Sequence, residues 1–192
     1  MKKLLIFIFI FFNTITNINA EEIKRIFVGN KDAKITIIAF ESLTCSHCAN
    51  FHKDVYPMLK KEYLDTGLAK IEFRHFPLDI AAFNASKAAQ CKNDGDSAIL
   101  ESLYANQQKW VKGSSAKEAN KNLEKFLTNE GFQLDFEKCI NNEEIEDFVL
   151  NDRIDAVKNF KVNATPTIII NNEKFEKSLN YKNLKKALEK LI

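Results

Sequence analysis

The sequence predicts an α/β fold in which a long helical segment separates two strand-containing units. Apolar, β-branched runs at residues 35–40 and 168–170 have the composition of buried strands. A helix-forming stretch joins the first run to a third strand candidate at residues 69–76, and such a crossover makes two strands parallel. Between residues 79 and 160 the apolar residues instead recur at helical spacing.

The predicted elements divide the chain into four parts. Residues 1–20 form an export signal, and residues 21–78 contain the first strands and the helix between them. Residues 79–160 form a helical insertion. Residues 161–192 contain a strand that follows a proline, a return strand and a last helix. The two short strands at the ends of this pattern are expected at 23–28 and 174–176.

Proline and capping residues mark where the helices should begin or break. Pro57 should kink the helix expected from Cys48 to Leu64, or start a new segment, because proline lacks the amide hydrogen. Another helix should run through Tyr104 to about Trp110. The predicted N-caps are Asp79, Ser115 (with Glu118 as a capping box), Asp135, Asn142 and Asn180.

The first twenty residues have the three parts of a secretory signal peptide. Lys2 and Lys3 supply the positive start, residues 4–12 are apolar without interruption, and a more polar stretch ends at Ala20. We expect cleavage near Ala20 and a periplasmic location, where disulfides persist. An uncleaved membrane anchor is the alternative.

The charge balance argues against a nucleic-acid partner. The chain has 28 Lys and Arg against 26 Asp and Glu, and the two counts become equal without Lys2 and Lys3. Binding to a polyanion usually requires a basic excess or a basic patch. Five glycines and three prolines in 192 residues also argue against a disordered chain.

Cys45 and Cys48 form a Cys-x-x-Cys motif where a predicted strand passes into a helix, a placement typical of a redox dithiol. Cys45 should lie at the helix N-terminus, where the helix dipole favours the thiolate that attacks disulfides. His47, when protonated, should add to this effect. Cys48 lies about one turn further in and should release a bound partner by attacking Cys45.

Zinc binding and an inert structural disulfide are the alternatives for this motif. A structural zinc site commonly needs a second pair of ligands such as another Cys-x-x-Cys, which the sequence does not contain. His52 does follow Cys48 by four residues. We predict thiol–disulfide chemistry that requires no metal and no cofactor.

These stretches together resemble the DsbA-like thiol:disulfide oxidoreductases of the thioredoxin superfamily, which belong to the bacterial periplasm. The resemblance covers the mature chain and is carried by residues 43–48 (LTCSHC), 73–79 (FRHFPLD) and 162–167 (VNATPT). It implies a thioredoxin fold with the helical insertion between its βαβ half and its ββα half. It also implies a cis bond between Thr165 and Pro166 beside the cysteines, with the Thr165 backbone binding an extended substrate. A trans proline that opens an edge strand is the alternative.

The chain departs from the family pattern near the cysteines. Relatives often carry an acidic residue six positions before the first cysteine, where this chain has Ala39. Glu41 lies two residues further on, on the same strand face, and we expect a solvated carboxylate rather than a substitute. Ser46 stands where strongly oxidising relatives usually have proline. His52 lies two helical turns, about 10 Å, from Cys45, and should pack the helix rather than transfer protons.

The resemblance implies an exported dithiol oxidase that donates the Cys45–Cys48 disulfide to reduced exported proteins through a mixed disulfide. A DsbB-like membrane oxidase would reoxidise it, and we expect a monomer. A periplasmic reductase or isomerase with the same residues is the alternative, although such isomerases usually carry an N-terminal dimerisation domain for which this chain leaves no room. The intact motif argues against a peptide-binding chaperone or a metal carrier.

Cys91 and Cys139 are the remaining pair of cysteines. Neither belongs to a Cys-x-x-Cys motif, and some relatives have a second bridge in this region. We therefore expect a structural disulfide within the helical insertion. Two buried free cysteines that act as small apolar residues are the alternative.

Overall fold

A computed structural model of the protein describes residues 22–192, and these residues form the predicted α/β fold. The predicted signal peptide, residues 1–20, lies outside the described residues. No helix within residues 22–192 has both the length and the apolar character that crossing a membrane requires.

Five strands within residues 22–192 form one mixed sheet in the order β1-β3-β2-β4-β5. The strands are β1 (Phe27–Gly29), β2 (Ile35–Glu41), β3 (Ala69–His75), β4 (Thr167–Ile170) and β5 (Glu173–Lys174). β2 and β3 run parallel, as predicted, whereas the pairs β1–β3, β2–β4 and β4–β5 are antiparallel. The pairing of β2 with β4 therefore joins the βαβ half to the ββα half.

β2 lies at the centre of the sheet because its side chains are apolar on both faces. Ile37 and Ala39 belong to the larger core cluster. Ile38 and Phe40 belong to a smaller cluster, together with Ala156 from a later helix. A strand buried on both faces is typical of a sheet covered by helices on two sides.

The first strand is shorter than the sequence predicts. Residues 23–26 were expected to be strand but precede β1. The amide of Lys24 donates to the side-chain oxygen of Asn93 at 2.6 Å, and the Lys24 carbonyl accepts from Gln90. Side chains at the end of the first insertion helix thus replace strand pairing for Lys24.

Two helices follow β2, in the stretch where a kink or a new segment was predicted at Pro57. α1 (Ser46–Asp54) ends before Val55, and α2 (Tyr56–Leu59) has Pro57 in its first turn. The chain continues as a π-helical turn, Lys60–Leu64. Pro57 starts a new segment, as expected, because a missing amide hydrogen costs least in the first turn of a helix.

Six helices lie between β3 and β4 in the described chain. They are α3 (Ile80–Gln90), α4 (Ala98–Ala105), α5 (Gln107–Trp110), α6 (Ala116–Asn129), α7 (Phe136–Ile140) and α8 (Glu143–Phe160). The predicted N-cap side chains accept amide hydrogen bonds at the starts of α3, α6, α7 and α8.

Two local predictions in this segment were wrong in detail. The single helix expected through Tyr104 is divided at Asn106, whose side chain donates to the Ser102 carbonyl and so competes with the backbone. Only one of the two hydrogen bonds of the capping box forms. The Ser115 hydroxyl accepts from the Glu118 amide, but the Glu118 carboxylate accepts from the Ser114 amide instead of from the Ser115 amide.

Asn171 and Asn172 make the predicted tight turn between β4 and β5. Both have positive φ, 46° and 71°, which asparagine tolerates better than most residues. β5 begins at Glu173, one residue before the predicted strand. The last helix, α9 (Tyr181–Leu188), begins after Asn180, whose side chain caps it.

A disulfide joins Cys91, which caps the end of α3, to Cys139 in α7. The two Cα atoms are 5.4 Å apart and the residues are 48 positions apart in sequence. The bridge closes the loop that contains α4, α5 and α6. Cys45 and Cys48, by contrast, are free thiols.

Replacing both Cys91 and Cys139 by alanine should lower the free energy of unfolding by about 4 kcal/mol, because the unfolded chain regains the loop entropy that the bridge removes. Urea denaturation of the double variant and the parent measures the difference. Thiol exchange at Cys45 is the control and should be unchanged. A loss of stability below about 1 kcal/mol would contradict a structural role for the bridge.

Candidate active site

The end of β2 delivers Cys45 to the N-terminus of α1. Cys45 is the N-cap residue of this helix, with an extended backbone (φ −77°, ψ 120°), and its carbonyl accepts the first helical bond from Ala49. The amides of the first helical turn have no partner within the helix. Cys48 is the third residue of α1 and is fully buried. The two sulfurs of the motif therefore differ sharply in their surroundings.

Two residues of the helical insertion, Gln107 and Asp79, hold the loop that precedes α1. The side-chain amide of Gln107 donates to the carbonyls of Leu43 (2.8 Å) and Cys45 (3.0 Å). The Thr44 hydroxyl donates to Asp79 at 2.7 Å. Sequence reasoning missed Gln107, because its place in α5 gives no sign of a contact with residues more than sixty positions earlier.

The loop before β4 brings Thr165 and Pro166 against the cysteines. The Thr165–Pro166 bond is cis. The Cys45 thiol donates to the Thr165 carbonyl, with 3.4 Å between the two atoms. The Thr165 hydroxyl is buried and has no hydrogen-bond partner within the described chain. It is therefore free to donate to Cys45 once that sulfur carries a negative charge.

Hydrogen-bond donors around Cys45 lower its pKa from 9.0 to about 5. The largest contribution comes from the Cys48 thiol, and the Thr165 side chain and the amides of Cys48 and His47 add to it. Partial burial of the sulfur opposes the shift but does not cancel it. At neutral pH the partly exposed Cys45 is therefore a thiolate, the form that attacks disulfides.

His47 is exposed and contributes to this site in two places. Its backbone amide is one of the groups that favour the Cys45 thiolate. His47 also lines a cleft of about 490 Å³, together with Thr165 and Pro166. The rest of this cleft comes from α1, α9 and the loop before α9: Asn50, Phe51, Asp54, Val55, Leu179, Asn180 and Tyr181.

Cys48 has the opposite electrostatic character. Burial raises its pKa far above the ordinary value, and the hydrogen bond to Cys45 and the nearby Glu41 carboxylate raise it further. A thiolate at Cys48 is therefore strongly disfavoured. Any reaction that expels the Cys48 sulfur from a disulfide must deliver a proton to it.

Glu41 is buried, and the expectation of a solvated carboxylate was wrong. Glu41 retains only 3% of its exposure, at the last position of β2. Its Oε2 atom lies 2.9 Å from Nε2 of His52. Burial raises the pKa of Glu41, although His52 partly offsets this effect. The alternation along β2 places Glu41 on the face of Ala39, and the local pattern gave no sign that α1 and α4 would cover it.

His52 does pack the helix, as expected, but it also contacts the acidic group beneath the cysteines. Its ring stacks on Tyr104 of α4, with ring centroids 4.0 Å apart and planes 16° apart. Tyr104 is buried beside Glu41, and burial raises the pKa of its phenol well above the usual range. Glu41, His52 and Tyr104 thus form a buried polar cluster behind Cys48.

Within residues 22–192, no group of three or more His, Cys, Asp or Glu side chains is placed to hold a metal ion.

A family model described as thioredoxin matches residues 21–190. The chain belongs to the thioredoxin family. Among solved structures, this thioredoxin-family chain is similar to alpha-DsbA1 of Wolbachia pipientis, with 28% identity and a TM-score of 0.77 over 87% of this chain and 90% of the other. BdbD of Bacillus subtilis in its oxidised form is 24% identical, with a TM-score of 0.69 over 86% and 91% of the two chains, and shows the shared fold.

Curated relatives of this thioredoxin-family chain have names that concern disulfides. One from Rickettsia bellii, provisionally named a protein-disulfide oxidoreductase, is 28% identical over 86% of this chain. The match covers 63% of that relative, so the chain spans less than two thirds of its length. Disulfide bond formation protein D of Bacillus subtilis is 26% identical over 85% of this chain and 75% of its own length.

Thr165→Val should raise the pKa of Cys45 above its present value, because valine keeps the shape of threonine but cannot donate to the thiolate. Thiolate ultraviolet absorbance measured against pH gives the pKa. Thr44→Val is the matched control: it adjoins Cys45, but its hydroxyl is bonded to Asp79. Equal pKa values for Cys45 in both variants would show that the Thr165 hydroxyl does not act on the sulfur.

Proposed function

We propose that this chain is an exported thiol-disulfide oxidoreductase of the DsbA type, which donates the Cys45–Cys48 disulfide to reduced proteins. The observation that supports it is the contrast between the two sulfurs. Cys45 is partly exposed at the start of α1, beside the Thr165 backbone, with a pKa of about 5. Cys48 is buried and resists ionisation.

The first proposed step is attack of a substrate thiolate on the Cys45 sulfur of the disulfide. The Cys45–Cys48 bond breaks, a mixed disulfide forms between substrate and Cys45, and the electron pair leaves on the Cys48 sulfur. Because a buried Cys48 thiolate is disfavoured, it takes up a proton. Glu41 is the acid that supplies this proton, since burial raises the pKa of its carboxyl and the carboxyl lies near the Cys48 sulfur.

The second proposed step releases the oxidised substrate. A second substrate thiolate attacks the substrate sulfur of the mixed disulfide, and Cys45 leaves as a thiolate. A thiol of low pKa is a good leaving group, so this departure needs no proton. The products are a substrate disulfide and the reduced enzyme, with a Cys45 thiolate and a Cys48 thiol.

We propose that the substrate chain binds in the cleft beside Cys45. Thr165, Pro166 and His47 are among its lining residues, and the Thr165 carbonyl accepts a hydrogen bond from the Cys45 thiol. An extended substrate backbone can bond to the main chain at Thr165 while its cysteine faces Cys45. Asn50 and Asp54, on the same side of α1, add polar side chains to the lining of this cleft.

The low pKa of Cys45 favours the oxidase over the reductase or isomerase. Stabilisation of a thiolate acts on the reduced enzyme alone, because the disulfide carries no charge. It therefore makes the disulfide easier to reduce and the enzyme a stronger oxidant. For an enzyme that works as an oxidant, we propose a periplasmic location and reduced exported proteins as substrates. We also propose that a DsbB-like membrane oxidase reoxidises it and that the enzyme is a monomer.

Cys48→Ser should accumulate mixed disulfides with substrate proteins, because Cys45 can still attack substrate disulfides while intramolecular release is lost. Cys45→Ser should abolish thiol–disulfide exchange and trap nothing. Incubation of each variant with a disulfide-containing protein, followed by non-reducing electrophoresis, separates the two cases. Trapped partners on Cys45→Ser and none on Cys48→Ser would reverse the two assigned roles.

A further inference from the structure

The proposed exchange leaves one proton to be accounted for. Glu41 gives a proton to Cys48 when the enzyme is reduced and must recover one from solvent, yet its carboxyl is buried under α1 and α4. The substrate occupies the open side of Cys45 during the first step. A route to solvent that does not pass the substrate is therefore needed.

We infer that His52 carries protons between Glu41 and a second cleft on the far side of α1, so that proton exchange and substrate binding use different faces of the protein. This inference rests on the proposed function. It concerns a positioning and proton-carrying residue that does not touch the substrate or the reacting sulfurs.

The His52 ring connects the two locations by its two nitrogens. Nε2 lies 2.9 Å from Oε2 of Glu41. Nδ1, at the other side of the ring, is buried and has no hydrogen-bond partner within residues 22–192. The side chain as a whole is only 6% exposed. A buried polar atom without a partner is costly, so its retention here suggests a function.

The second cleft has a volume of about 680 Å³ and His52 is one of its lining residues. The others come from α1, α2, the π-helical turn, α4 and α5: Ala49, Asn50, Lys53, Tyr56, Pro57, Lys60, Glu101, Tyr104, Ala105 and Gln108. Of these, only Asn50 also lines the substrate cleft. Water or a small buffer molecule in the second cleft can thus approach His52 while a substrate occupies the first.

Aromatic packing fixes the orientation of the His52 ring. It stacks on Tyr104 at 4.0 Å, and the rings of Tyr56 and Phe73 lie 5.2 and 5.3 Å from it. Titratable and charged groups that lie near the ring or line the second cleft include Glu41, Cys45, Cys48, Lys53, Tyr56, Lys60, Glu101 and Tyr104. The same helices and β3 also carry His47, Asp54, Lys61, Glu62, Tyr63, Lys70, Glu72, Arg74 and His75. Among them Glu41 alone makes a hydrogen bond to the imidazole.

This route accounts for every proton that the exchange transfers. The Cys48 sulfur takes a proton from Glu41, and the carboxylate takes one from Nε2 of His52. The imidazole recovers its proton at Nδ1 from a water molecule or a buffer acid that enters from the second cleft. Because Nδ1 is buried, this step requires a small movement of the residues around the ring. Reoxidation runs the same transfers backwards, and no electron passes through His52.

The test measures the rate at which a small thiol reduces the Cys45–Cys48 disulfide, divided by the thiolate concentration, over a range of pH. His52→Gln keeps a hydrogen-bond donor for Glu41 but cannot carry a proton from one side to the other. We expect its rate to fall about 100-fold near neutral pH, the scale of general acid catalysis. The pKa of Cys45 should remain that of the parent.

Two further variants separate proton transfer from structural support. His52→Ala should lose a similar factor and recover when imidazole is added, but not with pyrazole, which has a similar shape and is a much weaker base. Ala105→Phe should slow the reaction by filling the second cleft while His52 remains in place. Ala116→Phe is its matched control, since Ala116 is also exposed but lies outside the cleft.

The outcomes distinguish this inference from the proposed function. A parent protein whose disulfide does not react with thiols would overturn the proposed function. A reactive parent with an unchanged rate in His52→Gln would overturn the His52 route alone. A slow His52→Ala that imidazole does not restore would also overturn it, because the histidine would then act only through packing.

Discussion

The position of the Cys45 sulfur between the N-terminus of α1 and the Thr165 carbonyl is the constraint on which the site depends. These residues are 120 positions apart, and the sheet brings them together. Phe40, near the end of β2, pairs with Thr167 at the start of β4. Because the two strands are antiparallel, the end of one and the start of the other meet at the same edge. The loops that follow β2 and precede β4 therefore face each other.

The same arrangement separates the chemistry of the two sulfurs. Helical geometry places Cys48 one turn below Cys45, where the core covers it, while Cys45 remains at the helix start. Hydrogen-bond donors around the Cys45 sulfur lower its pKa, whereas burial and a nearby carboxylate raise the pKa of Cys48. Cys45 can therefore leave a mixed disulfide as a thiolate without taking up a proton, whereas Cys48 must be protonated when it leaves the Cys45–Cys48 disulfide.

The fold followed from local sequence patterns to a large extent. The apolar run of β2, the strand β3 and the capping residues before α3, α7, α8 and α9 each act within a few neighbouring residues, and the structure has them as predicted. Pro57 divided the first helix for an equally local reason. The boundaries failed where a distant partner intervened, as at Lys24, whose backbone bonds to Asn93 and Gln90.

The candidate site was predictable only in part. The two motif cysteines, Thr165 and Pro166 came from motifs, whereas Glu41, Gln107 and Tyr104 depend on how the helical insertion covers the sheet. No local pattern distinguishes a glutamate at a strand end that meets solvent from one that meets a histidine and a tyrosine. Glu41 was misjudged for that reason, and the departure from the family pattern at Ala39 was the one available sign.

The most direct test of a thiolate-driven oxidase compares the thermal melting of the reduced and oxidised proteins from about pH 8 to about pH 4. The pKa of Cys45 is lowered by folding, so its contribution to the reduced form is complete above the unfolded pKa of about 9 and is lost as the pH falls through about 5. We predict that the reduced form melts higher at neutral pH, and that the difference shrinks steadily on acidification. An oxidised form that melts higher at neutral pH, or a difference that does not change with pH, would contradict a thiolate-driven oxidase.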